Sequence, residues 1–189
     1  MAELELLGVR RPPTSPVYYR VSCTRITTSD SIEATGNDSS GEVEFIMLQT
    51  GGSLWIGVGS DHTDRKVETY NITVSKQMCD KPVARDAWRF DELSDHWDSL
   101  VLRSWAVNGG NRRLYQEGSV SSMLHPQDLI AGYVREGNSL AEGSAMFSGT
   151  LPAIGGIQPA ERFEFELEDP VRKRRLAHGY DISCLPVAG

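Results

Sequence analysis

Ser40-Gly41-Glu42-Val43-Glu44-Phe45-Ile46-Met47-Leu48 sets two carboxylates, one residue apart, directly ahead of an apolar run. Phe45 to Leu48 read as a short, largely buried strand bounded by turn signals at Gly41 and Gly51-Gly52. Side chains alternate faces along a strand, so Glu42 and Glu44 share one side, with Cα atoms about 6.5 to 7 Å apart. Two like charges placed there repel unless a cation or several donors sit between them. The plain alternative is a solvated strand start, since carboxylates are mostly exposed.

The next segment weighs against that alternative. Gly57-Val58-Gly59-Ser60-Asp61-His62-Thr63-Asp64-Arg65 follows a second apolar strand, and its glycine-flanked turn lets Asp61 project into a cleft. Glu42, Glu44 and Asp61 would give three oxygen donors, a set suited to a hard cation such as Mg²⁺, Mn²⁺ or Ca²⁺ rather than zinc. Spacing along the chain does not by itself bring the three together.

Working outward, the pattern is short and β-like. Val17 to Val21, Glu42 to Leu48, Ser53 to Val58, and Asp98 to Val107 (closed by Asn108-Gly109) read as strands. Phe163, Phe165 and Leu167 alternate with Glu164, Glu166 and Glu168, as in a strand with one wet face. Helix signals are few: Pro126 to Val134, with proline at a first-turn position, and a short stretch from Arg89 to Trp97. The expectation is an α+β, mostly β chain with a few short helices. Residues 1–16 form an extended lead-in, and residues 17–189 form one domain.

Composition narrows the function. A net charge of -7 argues against nucleic acid as the main partner. The basic cluster Arg172-Lys173-Arg174-Arg175 reads as a solvated turn. No apolar run is long enough to cross a bilayer and no charged-then-apolar leader is present, so no membrane partner is expected. Cys23, Cys79 and Cys184 are odd in number and lack CxxC spacing, which favours reduced thiols in a cytoplasmic setting.

From Glu42-Val43-Glu44 onward the chain resembles the catalytic domain of the fumarylacetoacetate hydrolase superfamily. The glutamate pair and the Ser60-to-Lys66 loop are followed by a lysine segment, Ser75 to Pro82. Next come one run from Val107-Asn108-Gly109 through Gln116 to Met123, then Asp128-Leu129-Ile130, and the glycine-rich run Ser148 to Gly156. Six weak motifs in the family's order, over roughly residues 16 to 182, carry the resemblance.

The resemblance implies a mixed β-roll or sandwich and one Mg²⁺ or Mn²⁺ (or Ca²⁺) held by Glu42, Glu44 and Asp61. It implies a homodimer, and a small 2-oxo acid or β-dicarbonyl substrate handled through a metal-stabilised enolate, by a hydrolase or lyase. Lys76 corresponds to a lysine that adds positive charge beside the metal. Thr150, Gly149 and Arg65 fall at positions for substrate contact or support of the site. Tautomerase, dehydratase, cyclase or isomerase chemistry, or a non-catalytic binding role, remain alternatives on the same fold.

Several residues depart from the family's pattern. Glu68 replaces a residue that contacts substrate in relatives, and a carboxylate there is a candidate general base. Leu151 is inserted before Pro152. No histidine precedes His62, so the lid histidine of hydrolytic relatives is missing. His62 beside Asp61 has a suitable intrinsic pKa to replace it, although alternation along a strand would turn its ring away from Asp61.

Overall fold

The strand that begins at Val43 runs to Thr50 and turns back at once. Gly51 and Gly52 have φ of 60° and 69°, a left-handed pair that suits a two-residue hairpin turn. The return strand, Ser53–Ser60, pairs with it residue for residue, from Thr50↔Ser53 to Val43↔Ser60. This hairpin is the centre of a computed structural model that describes residues 16–188. The expected lead-in, apart from Pro16, lies outside the described residues.

Thirteen strands are described: β1 (Ile26–Thr27), β2 (Ser31–Thr35), β3 (Ser39–Ser40), β4 (Val43–Thr50), β5 (Ser53–Ser60), β6 (Thr63–Asp64) and β7 (Lys81–Pro82), followed by β8 (Trp88–Arg89), β9 (Val101–Asn108), β10 (Asn111–Ser119), β11 (Ser144–Phe147), β12 (Arg162–Asp169) and β13 (Arg174–Leu185). The α-helices are α1 (Arg65–Glu68), α2 (Ile72–Met78) and α3 (Pro126–Arg135). A five-stranded sheet runs β10-β9-β12-β13-β2, and a four-stranded sheet runs β11-β4-β5-β8. Two-stranded ladders join β1 to β7 and β3 to β6. Neighbours are antiparallel except β2 with β13 and β1 with β7, so the arrangement is mixed and mostly β, as expected.

The two larger sheets face each other across one core. Val43, Phe45 and Met47 alternate along β4, with Ile56 and Val58 opposite on β5. Leu102, Phe163, Phe165, Leu167 and Tyr180 come from the other sheet, and Trp97 sets its edge on Phe45 at 5.1 Å between ring centres. The intervening β4 residues Glu44 and Ile46 are buried as well, on the opposite face. β4 is therefore covered on both sides, by core on one and by the site on the other.

Some expectations need correcting. Val17 to Val21 is not a strand: the Tyr18 hydroxyl donates to the Leu129 carbonyl at 2.8 Å and its ring leans on Tyr133, so the aromatic alternation docks on α3 rather than on a sheet. Arg89 to Trp97 is not an α-helix but two 3₁₀ turns, Phe90–Glu92 and Ser94–Ser99, and the second takes the start of the strand expected from Asp98. Helices α1 and α2 were not anticipated. Asp64 and Asn71 cap them by accepting from the Val67 and Val74 N–H groups. No helix among the described residues is long and apolar enough to cross a membrane.

Candidate metal centre

The hairpin register brings the carboxylates together. If Val43 faces Ser60, then one step beyond the ladder Glu42 faces Asp61, and the Asp61 N–H donates to the Glu42 carbonyl at 2.9 Å. Glu44, two residues along, projects on the same side. One carboxylate oxygen from each of Glu42, Glu44 and Asp61 lies within 4.8 Å of the others. Glycine opens this face. A Cβ on Gly59, opposite Glu44, would sit 2.6 Å from Ile46 Cδ1 and 2.9 Å from the Pro82 carbonyl.

Cations from the segment after the hairpin close the network. Lys76 on α2 places Nζ 2.5 Å from Asp61 Oδ2 and 3.6 Å from Glu42 Oε2. Lys81 on β7 places Nζ 3.0 Å from Asp61 Oδ1 and donates to the His62 carbonyl at 2.6 Å. Arg65 on α1 donates to Ser40 Oγ, and its Nη1 lies 3.2 Å from Glu42 Oε1 and 2.9 Å from Glu68 Oε2. Four carboxylates thus meet three cations, leaving one negative charge over when all are ionised.

The protonation tendencies follow from burial. Glu44 is 3% exposed, and desolvation followed by the Asp61 charge pushes its carboxyl well above the usual range. Burial also opposes ionisation of Asp61, but the Lys76 and Lys81 ammoniums outweigh it and hold the group down to about 2. Lys76 is likewise penalised by burial, yet Asp61, Glu42 and Glu44 keep it protonated. A divalent ion would compensate Glu44, and an all-oxygen donor set of this kind fits Mg²⁺, Mn²⁺ or Ca²⁺ and not a soft metal.

The glycine-rich run completes the site from the far side. The Gly149 N–H donates to Glu44 Oε2 at 2.8 Å, and the Thr150 hydroxyl donates to the Val43 carbonyl at 2.7 Å. Gln116 ties this run to the hairpin. Its Nε2 donates to Thr150 Oγ1 and to the Leu151 carbonyl, while its Oε1 accepts from the Val43 N–H and Ser104 Oγ. A bulge in β10 between Leu114 and Gln116 makes this possible, turning the consecutive residues Tyr115 and Gln116 both inward. Beside the carboxylates lies a cavity of about 100 Å³, where Glu42, Arg65, Tyr115 and Thr150 face the apolar wall of Leu151 and Ile157.

The expected site residues therefore divide. Glu42, Glu44, Asp61 and Lys76 come together, and Arg65 and Thr150 line the cavity. Gly149 is close, and its N–H is engaged by Glu44. Glu68 is 3% exposed and reaches the site through Arg65, which donates to its Oε2 at 2.9 Å. His62 is fully buried, with Nδ1 on the Tyr180 hydroxyl and Nε2 on Ser39 Oγ, both at 2.9 Å. Burial, then Lys81 and Arg65, lower its pKa to about 3, and both ring nitrogens are engaged inside the fold, where His62 braces Tyr180 against Ser39. Lys81 and Gln116 were not singled out from sequence. Both stand in quoted motifs, Gln116 at the head of the run to Met123 and Lys81 near the end of the segment Ser75 to Pro82, but only Lys76 of that segment was given a role.

A family described as "Protein of unknown function (DUF2848)" matches residues 1–180. Among curated proteins no sequence matches. Solved structures of the same fold include a 2-keto-3-deoxy-D-arabinonate dehydratase complexed with magnesium and 2,5-dioxopentanoate, with TM-score 0.63 and 18% identity over 88% of this chain and 62% of that one. A yeast fumarylacetoacetate hydrolase family protein, ynq8, matches with TM-score 0.63 and 17% identity over 84% and 75%. A putative fumarylacetoacetate isomerase/hydrolase from Oleispira antarctica matches with TM-score 0.64 and 17% identity over 92% and 84%. The chain spans 62% of the dehydratase's length, and 66% and 65% of two further structures of this fold. At these identities the likeness is one of fold, and that fold is the one the sequence motifs implied.

Proposed function

Because the chain belongs to the DUF2848 family and carries the fumarylacetoacetate hydrolase fold, we propose that it is a divalent-metal-dependent enzyme acting on a small 2-oxo acid or β-dicarbonyl compound. The observation that carries this reading is the meeting of Glu42, Glu44 and Asp61 with the Lys76 ammonium, with Glu42 also lining a small cavity. A bound Mg²⁺ or Mn²⁺ supplies Lewis acidity to the oxygens of such a substrate. Lys76 adds fixed positive charge where an oxyanion develops, already oriented by Asp61 and Glu42. Arg65 aligns Glu42 and presents a cation to the cavity, while Leu151 and Ile157 limit water on its apolar side.

Among the reactions that share an enolate, the site favours decarboxylation, dehydration or tautomerisation over C–C hydrolysis. Hydrolysis needs a base within hydrogen-bond reach of water. His62 is internal, His96 pairs with Asp169, His125 caps α3, and His178 bonds the Ser29 carbonyl. No histidine therefore stands in the cavity. The magnesium-bound neighbour named as a dehydratase of a 2-keto acid supports the same preference. A non-catalytic binding role has little use for Lys76 beside the carboxylates.

The test is a thermal shift with Mn²⁺, Mg²⁺ and EDTA on the wild type and on Glu44→Ala. The wild type should be stabilised by metal and the variant should not respond. Oxaloacetate and acylpyruvates are then screened by loss of enol absorbance, with Lys76→Ala expected to abolish turnover. A wild type indifferent to every divalent ion would sink the reading.

A further inference from the structure

Leu151 is the residue inserted ahead of Pro152, and its buried side chain lines the cavity beside the carboxylates. Its backbone is held on both sides. The Thr150 hydroxyl donates to the Val43 carbonyl at 2.7 Å, and the Leu151 carbonyl accepts from Gln116 Nε2 at 2.6 Å. Behind the side chain lies Gly118 on β10, where an added Cβ would come 3.2 Å from both Leu151 Cδ1 and Cδ2. Gly118 is not left-handed, so space and not backbone conformation calls for glycine there. Leu151 is thus seated against β10 and cannot retreat from the cavity, and its methyl groups set how deep a ligand reaches.

The polar groups on the same wall are committed within the fold. Gln116 uses both ends of its amide on Val43, Ser104, Thr150 and Leu151. The Tyr115 hydroxyl accepts from the Gln158 N–H at 3.2 Å, and Arg65 Nη1 is shared by Glu42 and Glu68. No cation besides Arg65 lines the cavity among the described residues, and Glu42 adds a negative charge to it. Resting on the metal-centre reading above, we infer that Leu151 is a specificity-determining residue that restricts the site to 2-oxo acids with a short, uncharged tail and excludes dicarboxylates. A head group at Glu42, Glu44 and Asp61 sends its tail toward Leu151 and Ile157. The cavity holds about 100 Å³, and a water-sized group takes about 30 Å³, so about three such groups fit. Each methylene that fits gains about fourfold in affinity from its burial. A second carboxylate would lose its hydration there with no free cation to replace it.

Calorimetric titration of simple 2-oxo acids into the Mn²⁺-saturated protein tests this without any turnover. The probes are pyruvate, 2-oxopentanoate, 2-oxooctanoate and 2-oxoglutarate, the last carrying a carboxylate where 2-oxopentanoate has a methyl group. Wild type should bind 2-oxopentanoate more tightly than pyruvate or 2-oxooctanoate, and about 10-fold or more above 2-oxoglutarate, because Glu42 opposes a second negative charge. Leu151→Ala should move the optimum to 2-oxooctanoate, raising its affinity by about 10-fold, and should leave 2-oxoglutarate weak. Leu151→Val trims one carbon and carries the test if Leu151→Ala does not fold, with a gain of about fourfold for 2-oxooctanoate. An unchanged order of chain lengths in a folded variant overturns the inference while leaving the metal centre standing. So does a wild type that takes 2-oxoglutarate as readily as 2-oxopentanoate. A wild type that binds no Mn²⁺ overturns the centre itself.

Discussion

Gln116 shows how much a single buried amide can hold. It satisfies the Val43 N–H between the two glutamates, the Ser104 hydroxyl, Thr150 and the Leu151 carbonyl at once. Gln116→Leu removes the partner of the Val43 N–H, the Ser104 hydroxyl and the Leu151 carbonyl, while Thr150 keeps its bond to the Val43 carbonyl, and each unsatisfied buried group costs about 1–3 kcal/mol. We expect a clear fall in the urea midpoint together with weaker Mn²⁺ binding, because the run carrying Gly149 keeps its direct bonds to β4 but loses the amide that braces it against the Val43 N–H. Gly41 is a second such position. A Cβ there would lie 2.5 Å from the Phe163 ring, so Gly41→Ala should destabilise by about 1–3 kcal/mol through overpacking. Gly41→Ala combined with Phe163→Leu should recover part of that loss in the same denaturation measurement.

The hairpin is where sequence and site meet. Glu42 and Asp61 face each other because eight residues precede the Gly51-Gly52 turn and eight follow it. The turn, both strands and all three carboxylates were legible. With a two-residue loop the pairing of Glu42 with Asp61 follows by counting inward from Thr50 and Ser53. Inserting one residue into the turn moves every β5 side chain to the other face relative to β4. Such a variant should lose its Mn²⁺-induced thermal shift even where circular dichroism shows that it folds. What could not be read was tertiary. Lys81 lies beyond two short helices that have no strong apolar period, and its role depends on β7 lying beside β5. The Tyr115 bulge likewise has no marker in the residues that form it.

A second cluster, away from the carboxylates, holds the far end of the fold. Asp169, at the end of β12, accepts from His96 and Arg174, and from the Arg172 N–H. Burial opposes its ionisation, but the Arg172 N–H, His96 and Arg174 outweigh that and keep its pKa below the ordinary value. A lowered folded pKa means stability that is present above the unfolded value, about 4, and is lost as pH falls below it. Wild type and Asp169→Asn should therefore differ most in urea midpoint near pH 6 and converge below about pH 4. Equal gaps at both pH values would show that the Asp169 charge is not what ties these segments together.

Across the whole molecule, the mostly β architecture and the single core were expected, and Phe45→Ala should cost about 3–5 kcal/mol in that core. The acidic alternation of β12 proved to be an internal ladder. Glu164 pairs with Arg112 and Arg162, Glu166 with Arg103 and Arg175, and Glu168 with Arg103. The expected homodimer, to be checked by light scattering, would therefore not need those carboxylates, and charge reversal at Glu164 should leave its mass unchanged.

The compactness of the carboxylate hairpin reaches into kinetics. All three acidic groups fall within residues 42–61, whereas joining β2 to β13 requires the chain to bridge most of its length. Closing a short loop is fast, and pairing distant segments is the slow part of folding. On the metal-centre reading proposed above, a hard ion would engage the hairpin before the larger sheet has assembled. Refolding followed by stopped-flow fluorescence should speed up when Mn²⁺ is present from the first millisecond, and the same ion added after refolding should act on unfolding alone.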